Sequence, residues 1–119
     1  MGQSYTIDLI QPYHIKAEKG ISEDAIASAR RLITEQLIMG AANQLYPDGM
    51  GRADAKIFQH IADSLADETP VLDLNSTQFA FLCELFQSNK AAEKLKFAPH
   101  ASGWFLTWTA YLDTLQRGG

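Results

Sequence analysis

Two helix-start signatures constrain this chain more than any other feature in it. At the first, Ser22 precedes Glu23 and Asp24. A serine hydroxyl there can accept from an unpaired amide of the first helical turn, and the two carboxylates sit where the positive end of the helix dipole favours them. Ile21 before the cap and Ile26 inside the helix have the spacing of a hydrophobic staple. At the second, Asn75 is followed by Gln78 at the third helical position, with Leu74 and Phe79 as the staple pair. A capping box, in which cap and third residue bond each other's backbone, is the expected result. The rest of the chain must be organised around these two starts.

From Ser22 the periodicity predicts a helix of about 24 residues, roughly 36 Å at 1.5 Å per residue. Its apolar face runs Ile26, Ala29, Ile33, Leu37 and Ala41, widened by Leu32 and Met39, with Gly40 as a candidate bend. The turn Tyr46-Pro47-Asp48-Gly49 ends it. A second helix over Arg52 to Ala66 carries the stripe Ile57, Phe58, Ile61, Ala62 and Leu65, and Glu68-Thr69-Pro70 closes it. The third, from Asn75, points Phe79, Leu82, Cys83 and Phe86 one way while Phe81 and Leu85 widen the arc. A helix that apolar is expected between neighbours. Lys90 to Phe97 is charged, with helical propensity and no strong face. Pro99 suits the first turn of a last helix, along which Ala101, Trp104, Phe105, Trp108, Leu112 and Leu115 recur at helical spacing, with Tyr111 beside them.

Tyr5 to Ile10 alternates apolar and polar residues as a short strand does, and Pro12 stops it. Val71-Leu72-Asp73-Leu74 is too short to stand alone and can pair with it. The fold class read from this pattern is mainly α: an irregular four-helix domain with a short two-stranded ribbon, Tyr5–Ile10 with Val71–Leu74. Residues 1–20 form its N-terminal strand and connector, and 117–119 a frayed tail. A chain of 119 residues, 46% of them hydrophobic, is the usual size and composition of one globular domain, so 1–119 is read as a single helical domain.

A net charge of −4 disfavours non-specific contact with nucleic acid or an anionic membrane. No apolar run approaches the roughly 20 residues of a membrane span. The pattern MGxxxT is formally met by Gly2 and Thr6, but it is too short to carry a lipid reading by itself. One cysteine, Cys83, excludes an intramolecular disulfide and favours a reducing, cytoplasmic compartment. Mid-helix among aromatics, it reads as a buried, inert thiol.

The side chains that could carry chemistry are scattered. His14, His60 and His100 share no metal-ligand spacing, and no second cysteine exists. His60, Asp63 and Asp67 recur at about one helical turn, as on any solvated helix edge. The loop before the second helix is the most suggestive: Gly49, Gly51 and Arg52 could hold an anion through backbone amides and positive charge. A helix precedes that loop, not the strand a dinucleotide site needs. Positions Met50 and Arg52 supply no oxygen where a calcium-binding loop requires one. Basic groupings are confined to Arg30-Arg31 and to Lys90, Lys94 and Lys96, the latter diluted by Glu93. The sharpest concentration is aromatic: Trp104, Phe105, Trp108 and Tyr111. Three other helices are available to fill the core, so part of this arc is expected at a surface. Trp104, Trp108 and Tyr111 are therefore candidate partner-binding residues.

The functional expectation is a non-enzymatic protein-binding module: an inhibitor, adaptor, immunity-type protein or self-assembling subunit. It has no catalytic, metal or cofactor residues, and its partner is another protein or a second copy. The alternative is a small-ligand or anion binder, or an enzyme, using Gly49–Arg52 with His60. A nucleic-acid accessory protein using Arg30-Arg31 ranks third.

Overall fold

The computed structural model describes residues 4–10 and 20–118. The readings placed on Gly2, Pro12 and His14 lie outside the described residues. The architecture is mainly helical with a small antiparallel sheet. In chain order the elements are β1 (Ser4–Asp8), α1 (Glu23–Leu45), α2 (Arg52–Ala66), β2 (Val71–Asn75), α3 (Ser76–Gln87), the six-residue α4 (Asn89–Lys94), a 3-10 turn over Pro99–Ala101 and α5 (Ser102–Gly118). Four long helices thus carry the fold, and α4 is a short step between α3 and α5.

Both side-chain caps form as the sequence implies. The Ser22 hydroxyl accepts from the Ala25 amide at 3.1 Å. Asn75 Oδ1 accepts from the Gln78 amide at 2.8 Å while Gln78 Oε1 accepts from the Asn75 amide at 3.0 Å, completing the capping box. The ribbon forms too: Tyr5 lies opposite Leu74 and Ile7 opposite Leu72. Ile7, Leu72 and Leu74 point into the core, and Tyr5 stacks on Phe79 with ring centroids 4.1 Å apart.

α3 is the centre of the molecule. Phe79, Phe81, Leu82, Cys83, Leu85 and Phe86 are all buried, so its arc is covered by α1, α2 and α5 together. α2 keeps its expected bounds and buries Phe58, Ile61 and Leu65.

α1 departs from expectation. Its buried residues are Thr34, Leu37, Ile38, Ala41, Ala42 and Leu45, none of them before Thr34. Ala29 and Leu32 are exposed, Ile26 and Ile33 only half-buried, and Ile21 stays 46% exposed at the staple position. The buried stripe is rotated because it includes a polar residue: the Thr34 hydroxyl donates to the Leu9 carbonyl at 2.8 Å, satisfying a buried backbone acceptor just past β1. Gly40 sits within unbroken helix. At the other end of the chain, α5 continues through Gly118, and Arg117 pairs with Asp113 at 3.3 Å one turn back. Gly119 lies outside the described residues.

Candidate functional site

The two helical segments that lead into α3's neighbourhood are tied together at Tyr46. It closes α1, and its hydroxyl donates to Asp54 Oδ2 at 3.2 Å, across the turn to the first turn of α2. Its ring stacks on Phe81 at 6.2 Å, and Phe81 meets Phe58 at 6.0 Å. Lys90 lays its ammonium over the other part of the rim, 5.1 Å from the Tyr46 ring centroid, a cation–π distance. Burial, then the Asp54 carboxylate and its hydrogen bond, then the Glu84 carboxylate push the Tyr46 phenol above its ordinary range.

Glu84 is the pivot of this surface. It stands on the exposed ridge of α3 and borders three hollows at once. One, about 190 Å³, is floored by Leu45, Phe81 and Leu85 and rimmed by Tyr46, Ser88 and Lys90. The second, about 420 Å³, lies between α2 and α3 with Asp54, Ile57, Thr77, Ala80 and Phe81. The third, about 310 Å³, opens toward α5 over Cys83, Gln87 and Gln116. Among the described residues the Glu84 carboxylate has no ion-pair or hydrogen-bond partner. The result is a set of shallow hollows, two of them floored by apolar side chains, with carboxylates at Asp54 and Glu84. Sequence reasoning missed it because Tyr46, Asp54 and Glu84 lie in three separate elements; the acidic residue on the polar side of an otherwise apolar α3 was the available signal.

The aromatic arc of α5 places Trp108 in the core, where it is not available to a partner, and leaves Trp104, Phe105 and Tyr111 half-buried. Trp108 has no exposed area; it meets Phe86 edge-on at 5.9 Å and Tyr111 at 5.9 Å. Tyr111 is half-buried, and its hydroxyl accepts from the Asp8 amide at 2.8 Å, fastening α5 to the end of β1. Burial raises the Tyr111 phenol and the Asp8 carboxylate adds to that, against the backbone bond that lowers it. Trp104 is half-buried, edge-on to His100 at 6.2 Å. Phe105 packs on Phe97 at 4.7 Å. The physical reason is a shortage of core elsewhere. The first half of α1 buries nothing and α4 contributes only Ala91, so the aromatics of α5 fill the space.

The Gly49–Arg52 loop is a tight turn. Gly49 adopts a φ of 95° and its amide donates to the Tyr46 carbonyl at 3.0 Å. Gly51 caps α2 without a side-chain bond, and Arg52 is exposed. The end of α2 that could attract an anion already carries the chain's own Asp54 carboxylate. His60 is turned to the ribbon, with Nε2 2.8 Å from the Asp73 carbonyl oxygen. Among the described residues no three His, Cys, Asp or Glu stand together as a metal site. Cys83 is buried; burial, with the Asp113 and Glu84 carboxylates, pushes its thiol up to about 11.

The Arg30-Arg31 pair splits. Arg31 turns inward: its Nε donates to the Thr69 carbonyl at 2.9 Å and its terminal nitrogens reach the Leu65 carbonyl and the Glu35 carboxylate. A guanidinium at the C-terminal end of α2 answers the partial negative charge of the carbonyls there. It is a strut between helices, and only a lone Arg30 remains of the basic pair. No helix of the described residues is long and apolar enough to cross a membrane. No protein-family model, curated protein or solved structure matches this chain.

Proposed function

We propose that this protein is a non-enzymatic protein-binding module that docks a basic segment of another protein along the outer face of α3. The observation that carries the reading is Glu84: an unpaired carboxylate bordering three hollows, two of them with aromatic or aliphatic floors. Apolar floors supply non-directional affinity, and Asp54 and Glu84 set the sign of what fits. An arginine or lysine stem can lie on Ile57 and Phe81 with its head toward these carboxylates. The chain's negative net charge would speed the approach of such a partner. The inhibitor, adaptor and immunity-type roles all fit this description. A reducing, cytoplasmic setting suits a chain whose one cysteine is buried and unpaired.

The test is affinity capture from native lysate with the wild-type chain and a Glu84→Arg variant as parallel baits. A partner held by the first, released by moderate salt and lost from the second is the expected outcome. A partner retained equally by both baits rules out this face. An enzymatic activity abolished by His60→Ala in a folded chain overturns the non-enzymatic reading itself.

A further inference from the structure

We infer that Lys90 is a built-in competitor: its ammonium holds the seat on Tyr46 that a lysine of the basic partner takes. The inference rests on the docking of a basic segment proposed above and adds how that docking is held in check.

Lys90 stands in a poor place for a cation. It is the second residue of α4, in the first turn, where the helix dipole disfavours positive charge. Ser88 caps that helix, its hydroxyl accepting from the Ala91 amide at 3.1 Å, and Ala91 is buried. The start of α4 is therefore fixed, and it carries Lys90 to the rim of the hollow of about 190 Å³. Glu84 borders the same hollow, yet among the described residues no ion pair joins the two. The ammonium lies instead 5.1 Å from the centre of the Tyr46 ring.

That seat suits an alkylammonium. The face of a tyrosine ring attracts a cation through its quadrupole. The Tyr46 hydroxyl donates to Asp54, which makes the ring richer in electrons. Asp54 and Glu84 both lie close enough to push the phenol above its ordinary range. Leu45, Phe81 and Leu85 floor the hollow and offer an apolar surface to the methylenes of a lysine stem.

The chain itself identifies the occupant, because the group it places on the ring is a lysine ammonium. Lys90 makes the ring contact without the ion pair. A lysine arriving from a partner meets the same ring with the Glu84 carboxylate unpaired beside it, and so has more to gain there. One ring face does not hold two ammonium groups, so Lys90 must swing away. It is exposed and on a flexible stem, and can leave without disturbing α4. A site that is open only part of the time binds more weakly by that fraction. An exposed cation–π contact closes it by about threefold.

The experiment is an NMR titration of the whole chain with pentalysine at about 0.15 M salt, where charges more than about 8 Å apart are screened. In the free chain the ring current of Tyr46 should hold the Lys90 ε-methylene protons upfield. Added peptide should return them to the position of an unstructured lysine. Lys90→Gln should bind pentalysine about threefold tighter than wild type, the value of the contact it removes. Lys94→Gln removes the same charge one turn along α4, from an exposed residue outside the hollow. It should change the affinity less than about 1.5-fold, because its charge is screened. A Lys90→Gln chain that binds no tighter than Lys94→Gln overturns the inference, as do Lys90 protons that stay upfield while the peptide binds. So does pentalysine that leaves the Tyr46 signals unmoved at every concentration. The docking face itself fails on a different result, a partner kept by the Glu84→Arg bait.

Discussion

α1 and α3 begin alike and end up in opposite circumstances. Each has a side-chain cap in place, Ser22 on Ala25 and Asn75 on Gln78. Yet α3 buries six side chains along its length, while α1 buries none between Glu23 and Ile33. A cap decides where a helix starts; only the neighbours decide what the helix contributes. Isolated helices of a few turns are marginal in water, so the first half of α1 owes its order to its continuation into the packed half and to Arg31.

That contrast can be tested at its strongest point by truncating one side chain in each helix. Leu82→Ala removes a fully buried residue of α3 and should cost about 2–5 kcal/mol in urea unfolding. Ile26→Ala, in the half-buried stretch of α1, should cost less than about 1 kcal/mol, in the range of changes away from the core. Equal losses would mean that the start of α1 is packed as tightly as α3.

The buried thiol on α3 gives a second, smaller effect with a pH signature. A folded Cys83 held up to about 11 keeps its proton when the unfolded chain, with an ordinary value near 9, gives it up. The folded state then binds more protons than the unfolded one, so this stabilisation is complete below pH 9 and drains away between about 9 and 11. Tyr46 and Tyr111, both raised, contribute in the same direction. Thermal midpoints should fall across this interval, and Cys83→Ala should flatten the fall. A variant with the wild-type slope would assign it to the two tyrosines.

The caps themselves make the finest discrimination. Asn75→Ala should cost about 1 kcal/mol, the usual value for losing a cap on a packed helix. Ser22→Ala should cost less than about 0.5 kcal/mol, because the helix can start later with nothing buried being lost. Amide exchange would show the difference as fraying limited to residues before Thr34. A Ser22 effect as large as that of Asn75 would show that the beginning of α1 is held by more than local bonds.

These contrasts mark what could be read from sequence. The capping box, the bounds of α2, the wide apolar arc of α3 and the β1–β2 ribbon all rest on local patterns, and all formed. What escaped depends on who the neighbours are. The α1 stripe rotated because Thr34 answers a carbonyl from a distant segment, Leu9. Arg31 looked like surface charge and is a strut. The aromatic arc of α5 looked surplus only because α1 was credited with a full-length core face it lacks. The candidate site was less legible still: Tyr46, Asp54 and Glu84 carry no shared spacing, and only the docking of α2 beside α3 brings them to one surface.

The bond from the Asp8 amide to the Tyr111 hydroxyl spans 103 residues of sequence. During synthesis β1 emerges long before α5, and its other partner, β2, also follows much later. A growing chain cannot therefore pair its first strand until β2 has been made, and the bond between Asp8 and Tyr111 waits longer still, for α5. Folding should finish in one late, non-local step, of the kind that is slow because distant segments must meet first. Trp108, which lies at that junction, should report it as a single fluorescence change.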